Sequence, residues 1–187
     1  MSEQSRIRRK RAFREAEGYL DLATVYDDRW PLAPAVRDQL AQRTLDVLAA
    51  LGDSADTSSR ALFLKGQAML VMERYADATV PLSAATEIAS YDVHTWLALG
   101  WCYKRMGRLD LAIQSLEEAL AVEPDRAIVH YNLACYWSLA KNSKLAISYL
   151  ANAFDIDPNY RDLVDAETDF DNIRDHRDFM ALTAVIV

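Results

Sequence analysis

A chain of 187 residues, of which 51% are apolar, is long enough for one domain with a substantial buried core. The formal net charge of −7 argues against general nucleic-acid binding, because counterion release needs clustered Lys and Arg on the binding face. No apolar run is long enough to cross a bilayer and no apolar signal core follows the basic N-terminus, so we expect a cytoplasmic protein without a membrane span.

The first segment predicts an amphipathic helix from about residue 6 to residue 26. Its apolar positions available for burial are Phe13, Leu20, Leu22, Ala23 and Tyr26. Basic residues crowd the start of this helix and form either an electrostatic patch for an acidic partner, membrane surface or nucleic acid, or a solvated helix start. They are Arg6, Arg8, Arg9, Lys10, Arg11 and Arg14.

Two prolines, Pro31 and Pro34, interrupt the chain before a second helix, which is predicted from about residue 35 to residue 51 and ends at Gly52. We expect the two helices to form a divergent hairpin that caps the N-terminal end of a helical stack. Trp30 is expected to pack beneath the long connection rather than to bind a partner. The segment 52–59, GDSADTSS, is predicted to be a loop.

The segment 93–126 combines a helical stripe, a glycine turn, a second helical stripe and a closing proline. The residues, in order, are Trp96, Leu99, Gly100, Tyr103, Gly107, Ala112, Leu116, Ala119 and Pro124. This order, W-x2-L-G-x2-Y, then A, a large apolar residue, A and P, resembles the tetratricopeptide (TPR) repeat.

The same pattern recurs in both directions at the period of the TPR repeat. Downstream, the equivalent positions hold His130, Leu133, Ala134, Trp137, Ala146, Leu150, Ala153 and Pro158. Upstream, they hold Leu62, Gly66, Met69, Ala78, Leu82 and Ala85, with Lys65 in place of the leucine and Ser90 in place of the proline. We therefore predict three contiguous repeats, 59–92, 93–126 and 127–160.

Each repeat is expected to be a helical hairpin with a close crossing between its two helices. Gly66, Gly100 and Ala134 fall at that crossing, where a larger side chain would push the helices apart. One hairpin cannot bury its apolar face alone, so the repeats must stack on one another.

The segment after the last repeat, 161–187, is predicted to cover the terminal repeat with one or more short helices. Its candidate buried residues are Leu163, Val164, Phe170, Ile173, Phe179 and Leu182. The pattern D-x-DF-x-x-I-R-x-H-x-x-F resembles the closing segment of many bacterial TPR proteins. The acidic residues between positions 155 and 178 either form a docking surface for a basic partner or keep the cap soluble.

The resemblance implies an all-α fold, a right-handed α-α superhelix (TPR solenoid) of three repeats. The predicted division has a divergent N-terminal hairpin at 1–58, repeats at 59–160 and a C-terminal capping helix within 161–187, all in one continuous domain.

Residues able to carry chemistry are sparse. The three histidines have no metal-ligand neighbour at His-x3-His, Cys-x2-Cys or HExxH spacing, and neither a phosphate-binding glycine loop nor a nucleophile elbow is present. Cys102 and Cys135 fall within apolar helical patterns, which is typical of reduced core thiols. We therefore predict no catalytic residues, no metal site, no cofactor and no enzymatic activity.

A second stripe on the first helix of each repeat is predicted to bind a partner. In proteins that the chain resembles, this side lines the concave groove of the superhelix. The candidate residues are Arg60, Phe63, Gln67, Leu70, His94, Leu97, Trp101, Lys104, Arg105, Ile128, Tyr131, Cys135 and Leu139. Such a groove is apolar and aromatic, and it suits an extended segment or amphipathic helix with an acidic residue that reaches Lys104 or Arg105. The alternative is a groove already filled by the N-terminal helix or by a neighbour in a homodimer.

The leading functional prediction is a non-catalytic adaptor that binds a protein or peptide partner in its groove. The alternative is a dedicated chaperone of an otherwise insoluble partner, similar to type III secretion translocator chaperones. Phe63 and Gln67 replace the Lys and Asn with which some TPR domains clamp a C-terminal carboxylate, so binding of Hsp70 or Hsp90 tails is not expected. Co-purification of one abundant partner would favour the chaperone, and several substoichiometric partners the adaptor.

Overall fold

The structure is a computed structural model of the chain, and it describes residues 3–24, 32–52, 55 and 57–184. All regular secondary structure in these residues is helical, which confirms the predicted all-α fold. The chain divides into two compact units, Met1–Cys102 and Tyr103–Val187, which are described in turn. Three residues with predicted roles lie outside the described residues. They are Tyr26, predicted to be available for burial, Trp30, predicted to pack beneath the connection, and Pro31, predicted to interrupt the chain before the second helix.

The first unit consists of α1 (Glu3–Thr24), α2 (Pro34–Ala49), α3 (Ser59–Val71), α4 (Tyr75–Ile88) and most of α5 (Val93–Arg105). Helix α1 packs on α2, both pack on α3, and α3 packs on α4. A proline opens α2, where its missing N–H leaves no helical hydrogen bond unmade. The Ser58 hydroxyl accepts the Ala61 N–H at the start of α3.

Helix α1 buries one stripe of its surface, at Phe13, Ala16, Leu20 and Ala23. Phe13, Ala16 and Leu20 join residues of α2 and α3 in one apolar core. The prediction that Leu22 is buried is wrong, since 51% of this residue is exposed. Successive helical residues are about 100° apart, so Leu22 lies on the side of α1 opposite to Leu20.

The close crossing predicted at Gly66 is confirmed in the α3–α4 hairpin. A Cβ atom built on Gly66 would lie 2.5 Å from Cγ and 2.6 Å from Cδ2 of Leu82 on α4. Leu82 is fully buried, so it has no space into which to withdraw. The absence of a side chain at Gly66 is what allows the two helices to approach.

The second unit contains the end of α5, α6 (Leu109–Val122), α7 (Ala127–Leu139) and α8 (Ser143–Ile156). Two 3₁₀ turns follow, η1 (Pro158–Leu163) and η2 (Thr168–Phe170), and then α9 (Arg177–Thr183). Helix α7 packs on α6 and α8, η2 packs on α7, and η1 and α9 pack on α8. Residues 158–184, which we call the C-terminal segment, thus cover the last helical hairpin.

Four of the six residues proposed to anchor the C-terminal segment are buried: Val164, Phe170, Ile173 and Phe179. Leu182 is half-buried. The prediction for Leu163 is wrong, because 51% of it is exposed. The chain forms a 3₁₀ helix here rather than an α-helix, and its neighbour Val164 takes the inward position.

Three hairpin turns share one backbone conformation at equivalent positions of successive repeats. The φ angles are +58° at Glu73, +73° at Gly107 and +61° at Lys141. The next N–H in each turn bonds the carbonyl five residues earlier: Arg74 to Met69, Arg108 to Tyr103 and Asn142 to Trp137, at 2.8, 2.9 and 2.9 Å. This is a Schellman motif, which favours glycine at the position with positive φ.

We expect Lys141→Gly to raise the free energy of unfolding by about 0.5–1 kcal/mol, because glycine removes the strain of a left-handed conformation. Gly107→Ala should lower it by about 1 kcal/mol. Both changes are measurable by urea unfolding followed by circular dichroism. Lys144→Gly, within α8, is the matched control and should destabilise. Equal losses for the two lysine variants would contradict the assignment of strain to Lys141.

Candidate functional site

The first part of the predicted binding surface lines a cavity between α1 and α3. Phe63 and Gln67, one turn apart on α3, share this cavity of about 330 Å³ with Leu20 and Val71. Its further lining residues are Glu17, Asp21, Thr24, Arg60 and Leu64. We call it the α1–α3 pocket. Its surface is more apolar than polar and includes charged side chains, which suits a partner's apolar side chain.

Arg60, one of the predicted binding residues, is held by α1. Its Nε and Nη2 atoms donate to Glu17 Oε1 at 2.9 and 2.5 Å, and its guanidinium lies 4.9 Å from the centre of the Phe13 ring. The ion pair is half exposed, so it contributes at most about 1 kcal/mol. Its position nevertheless ties α1 to α3 and forms one wall of the α1–α3 pocket.

The other predicted residues of the first unit do not line the α1–α3 pocket. Leu70 and Leu97 are half-buried, and His94 is exposed. Trp101, on α5, is 37% exposed. Their role in binding stays a prediction.

The predicted binding residues of the second unit lie partly beneath the C-terminal segment. Tyr131 and Cys135, one turn apart on α7, are only 5% and 2% exposed. The Tyr131 ring meets Phe170 edge-on at 5.6 Å and Tyr160 at 5.1 Å, measured between ring centres. Ile128 and Leu139 are half-buried on the same helix, and Arg105 is exposed at the end of α5.

Lys104 forms an ion pair with Asp169 of the C-terminal segment. Both side chains are largely buried, with 16% and 11% of their surface exposed. The sequence predicts that an acidic group of a partner reaches Lys104, and in the structure an acidic group of the chain itself does so. From the sequence, the alternative to an open groove was a groove filled by the N-terminal helix or by a neighbouring molecule. In this unit the C-terminal segment is the element that covers Tyr131 and Cys135.

The side chains of α7 that face the C-terminal segment are electrically neutral at neutral pH. Burial raises the pKa of the Cys135 thiol, and the carboxylates of Glu167 and Asp169 raise it further. Burial and the same neighbours raise the pKa of Tyr131. Burial also raises the pKa of Cys102, to about 11. Neither cysteine is therefore activated as a nucleophile, although the predicted lack of enzymatic activity stays a prediction.

Cys135, Glu167 and Asp169 bring three metal-ligating groups together, a set that the sequence did not reveal. The sulfur and one oxygen of each carboxylate lie within 4.8 Å of one another. We call these residues the thiol–carboxylate cluster. Cys135 lies on α7 and the two acids lie beyond the end of α8, so no short spacing motif could have identified the cluster.

Within the described ranges, no helix combines the length and apolar content that a membrane crossing requires. The search of curated proteins finds no match to the chain.

A family model described as "Tetratricopeptide repeat" matches residues 93–126.

Several solved structures share the fold. A crystal structure of MamA has 19% sequence identity and a TM-score of 0.57, and the match covers 79% of this chain and 81% of that one. A double mutant of MamA RS-1 has 18% identity and a TM-score of 0.61, with coverage of 86% and 98%. MamA 41-end from Desulfovibrio magneticus RS-1 has 18% identity and a TM-score of 0.60, with coverage of 85% and 98%. At this identity the likeness concerns the fold alone. Residues 93–126 therefore match one tetratricopeptide repeat, and the chain shares a helical fold with MamA over most of its length.

Proposed function

We propose that this chain is a non-catalytic interaction scaffold that holds an apolar side chain of a partner protein in the α1–α3 pocket. The observation that carries the proposal is the apolar cavity at Phe63 and Gln67, two residues that the sequence had already assigned to the binding surface. Tetratricopeptide repeats are protein-interaction modules, so a protein segment is the ligand class that fits this cavity best.

The proposed ligand is an extended segment or an amphipathic helix with one or two apolar anchors. An anchor that enters the pocket would contact Leu20, Phe63 and Val71, while Gln67 offers its amide to a backbone group of the segment. Glu17 is already paired with Arg60, so a basic residue beside the anchor would find its electrostatic complement in the Asp21 carboxylate among the lining residues. This proposal keeps the three repeats 59–92, 93–126 and 127–160 as the scaffold.

Filling the pocket tests the proposal without removing core side chains. In a pull-down from the native source, Gln67→Phe should reduce the recovery of the partner by more than about tenfold, because the new ring occupies the space of an anchor. Gln114→Phe, at an exposed position of α6, is the matched control and should retain the partner. Both variants should first be shown to unfold cooperatively. If the two variants recover every partner equally, the α1–α3 pocket is not the binding surface.

A further inference from the structure

The side of α7 that faces the C-terminal segment is polar as well as buried. Tyr131, Cys135 and Ser138 lie at helical spacing and are 5%, 2% and 0% exposed. Opposite them, Glu167 and Asp169 come from the start of η2, and the sulfur and carboxylate oxygens of the thiol–carboxylate cluster lie within 4.8 Å of one another.

Two hydroxyl groups on this side of α7 are buried without a hydrogen-bond partner. They are the Tyr131 hydroxyl and the Ser138 hydroxyl. Tyr131 lies one helical turn before Cys135, so its side chain is on the same side of α7 as the thiol. A buried unpaired hydroxyl costs about 1–3 kcal/mol, so native structures normally satisfy such a group with a polar occupant.

Both acidic residues already make one contact and retain a second carboxylate oxygen. Asp169 Oδ2 holds the Lys104 ammonium. Glu167 Oε1 accepts the backbone N–H of Asp169 at 3.1 Å, which caps η2. The two contacts orient the carboxylates toward α7, in the way that hydrogen bonds behind a metal site orient its ligands.

The donor set and its charge fit one divalent cation that accepts sulfur. With the thiol deprotonated, the cluster carries three negative charges and Lys104 one positive charge, so a divalent cation neutralises the remainder. Zinc bonds of about 2.0–2.3 Å place tetrahedral ligands about 3.3–3.8 Å apart, which the 4.8 Å limit admits. Mg²⁺ and Ca²⁺ take oxygen ligands and should not use the sulfur.

We propose that Cys135, Glu167 and Asp169 bind a zinc-class divalent cation on the side of α7 that carries the unpaired Tyr131 hydroxyl. The thiol proton leaves to solvent as the sulfur coordinates the ion. The bound ion joins η2 to α7 and so fixes the C-terminal segment on the last hairpin.

Cobalt(II) is the probe, because a Co²⁺ ion bound by thiolate absorbs in the near ultraviolet through sulfur-to-metal charge transfer. The full chain, reduced and freed of metal by a chelator, should take up one equivalent of Co²⁺ with this band, and Zn²⁺ should remove the band while Mg²⁺ should not. Cys135→Ser should abolish the band. Cys102→Ser is the matched control and should keep it, because Cys102 is equally buried but is not part of the thiol–carboxylate cluster.

Glu167→Gln supplies a second test that leaves the sulfur in place. It should weaken Co²⁺ binding by at least about tenfold, as expected for the loss of a ligand. Three results would overturn the proposal: a wild-type chain without the band, a band that survives Cys135→Ser, or unchanged affinity in a folded Glu167→Gln variant. In each case the cluster would be an ion pair beside a protonated thiol.

Discussion

Replacing Phe170 by alanine should lower the free energy of unfolding of the second unit by about 3–4 kcal/mol, the range found when a buried phenylalanine is truncated. Phe170 is fully buried, and its ring lies 5.6 Å from the ring centres of both Tyr131 and Phe179. It therefore joins α7 to α9 through one side chain. The loss should appear as a lower midpoint in urea unfolding followed by circular dichroism.

Leu163→Ala is the control for Phe170→Ala, since both truncate an apolar residue of the C-terminal segment. Half of Leu163 is exposed, so its loss should change stability by less than about 0.5 kcal/mol. Limited proteolysis adds a local readout: Phe170→Ala should make the C-terminal segment more susceptible, whereas Leu163→Ala should not. Similar effects of the two variants would mean that Phe170 does not anchor this segment.

The repeated hairpins were predictable because their determinants are local. The glycine positions and the apolar stripes all lie within a single repeat, and the contact of Gly66 with Leu82 follows from them.

The replacement of Trp96 by His130 at the equivalent position of the next repeat shows how strongly the repeat constrains its positions. The Trp96 indole donates to the Ser90 carbonyl at 2.8 Å, and His130, at the equivalent position of the next repeat, places Nε2 2.7 Å from the Pro124 carbonyl. A carbonyl only accepts, so Nε2 carries the proton, and histidine here replaces the tryptophan N–H.

The shared turn conformation was only partly predictable. Glycine at position 107 predicts this conformation. Glu73 and Lys141 adopt the same positive φ although neither of them is a glycine. Their side chains carry no local signal for this conformation. The recurring hydrogen bonds of the hairpin impose it.

The candidate site was predictable on one helix at a time. Helical spacing placed Phe63 with Gln67, and Tyr131 with Cys135, on shared stripes. Helical spacing could not predict the ion pair of Glu17 with Arg60 or that of Asp169 with Lys104. These pairs join residues 43 and 65 positions apart. Their formation depends on how α1 and the C-terminal segment dock, which sequence periodicity does not specify.

The ion pair between Lys104 and Asp169 should be strongly coupled to folding. With chelator present to exclude metal effects, we expect Asp169→Asn and Lys104→Met each to lower the free energy of unfolding by about 3 kcal/mol. Each substitution leaves one charge largely buried without its counter-charge, since these side chains are only 11% and 16% exposed. The Lys104 ammonium also lies 5.9 Å from the centre of the Tyr136 ring, within the range of a cation–π contact, which Lys104→Met removes as well.

The double variant separates the loss of the pair from the burial of an unpaired charge. Lys104→Met with Asp169→Asn removes both charges of the pair and leaves only the half-buried Glu167 carboxylate nearby, so its loss should be at least about 2 kcal/mol smaller than the sum of the two single losses. The exposed pair of Arg74 and Asp77 is the reference, and Asp77→Asn should leave the unfolding midpoint nearly unchanged. The coupling of Lys104 with Asp169 should also persist in high salt, because counter-ions screen a buried pair poorly. Additive single losses would show that the two charges are solvated independently, and the C-terminal segment would then be held by its apolar contacts alone.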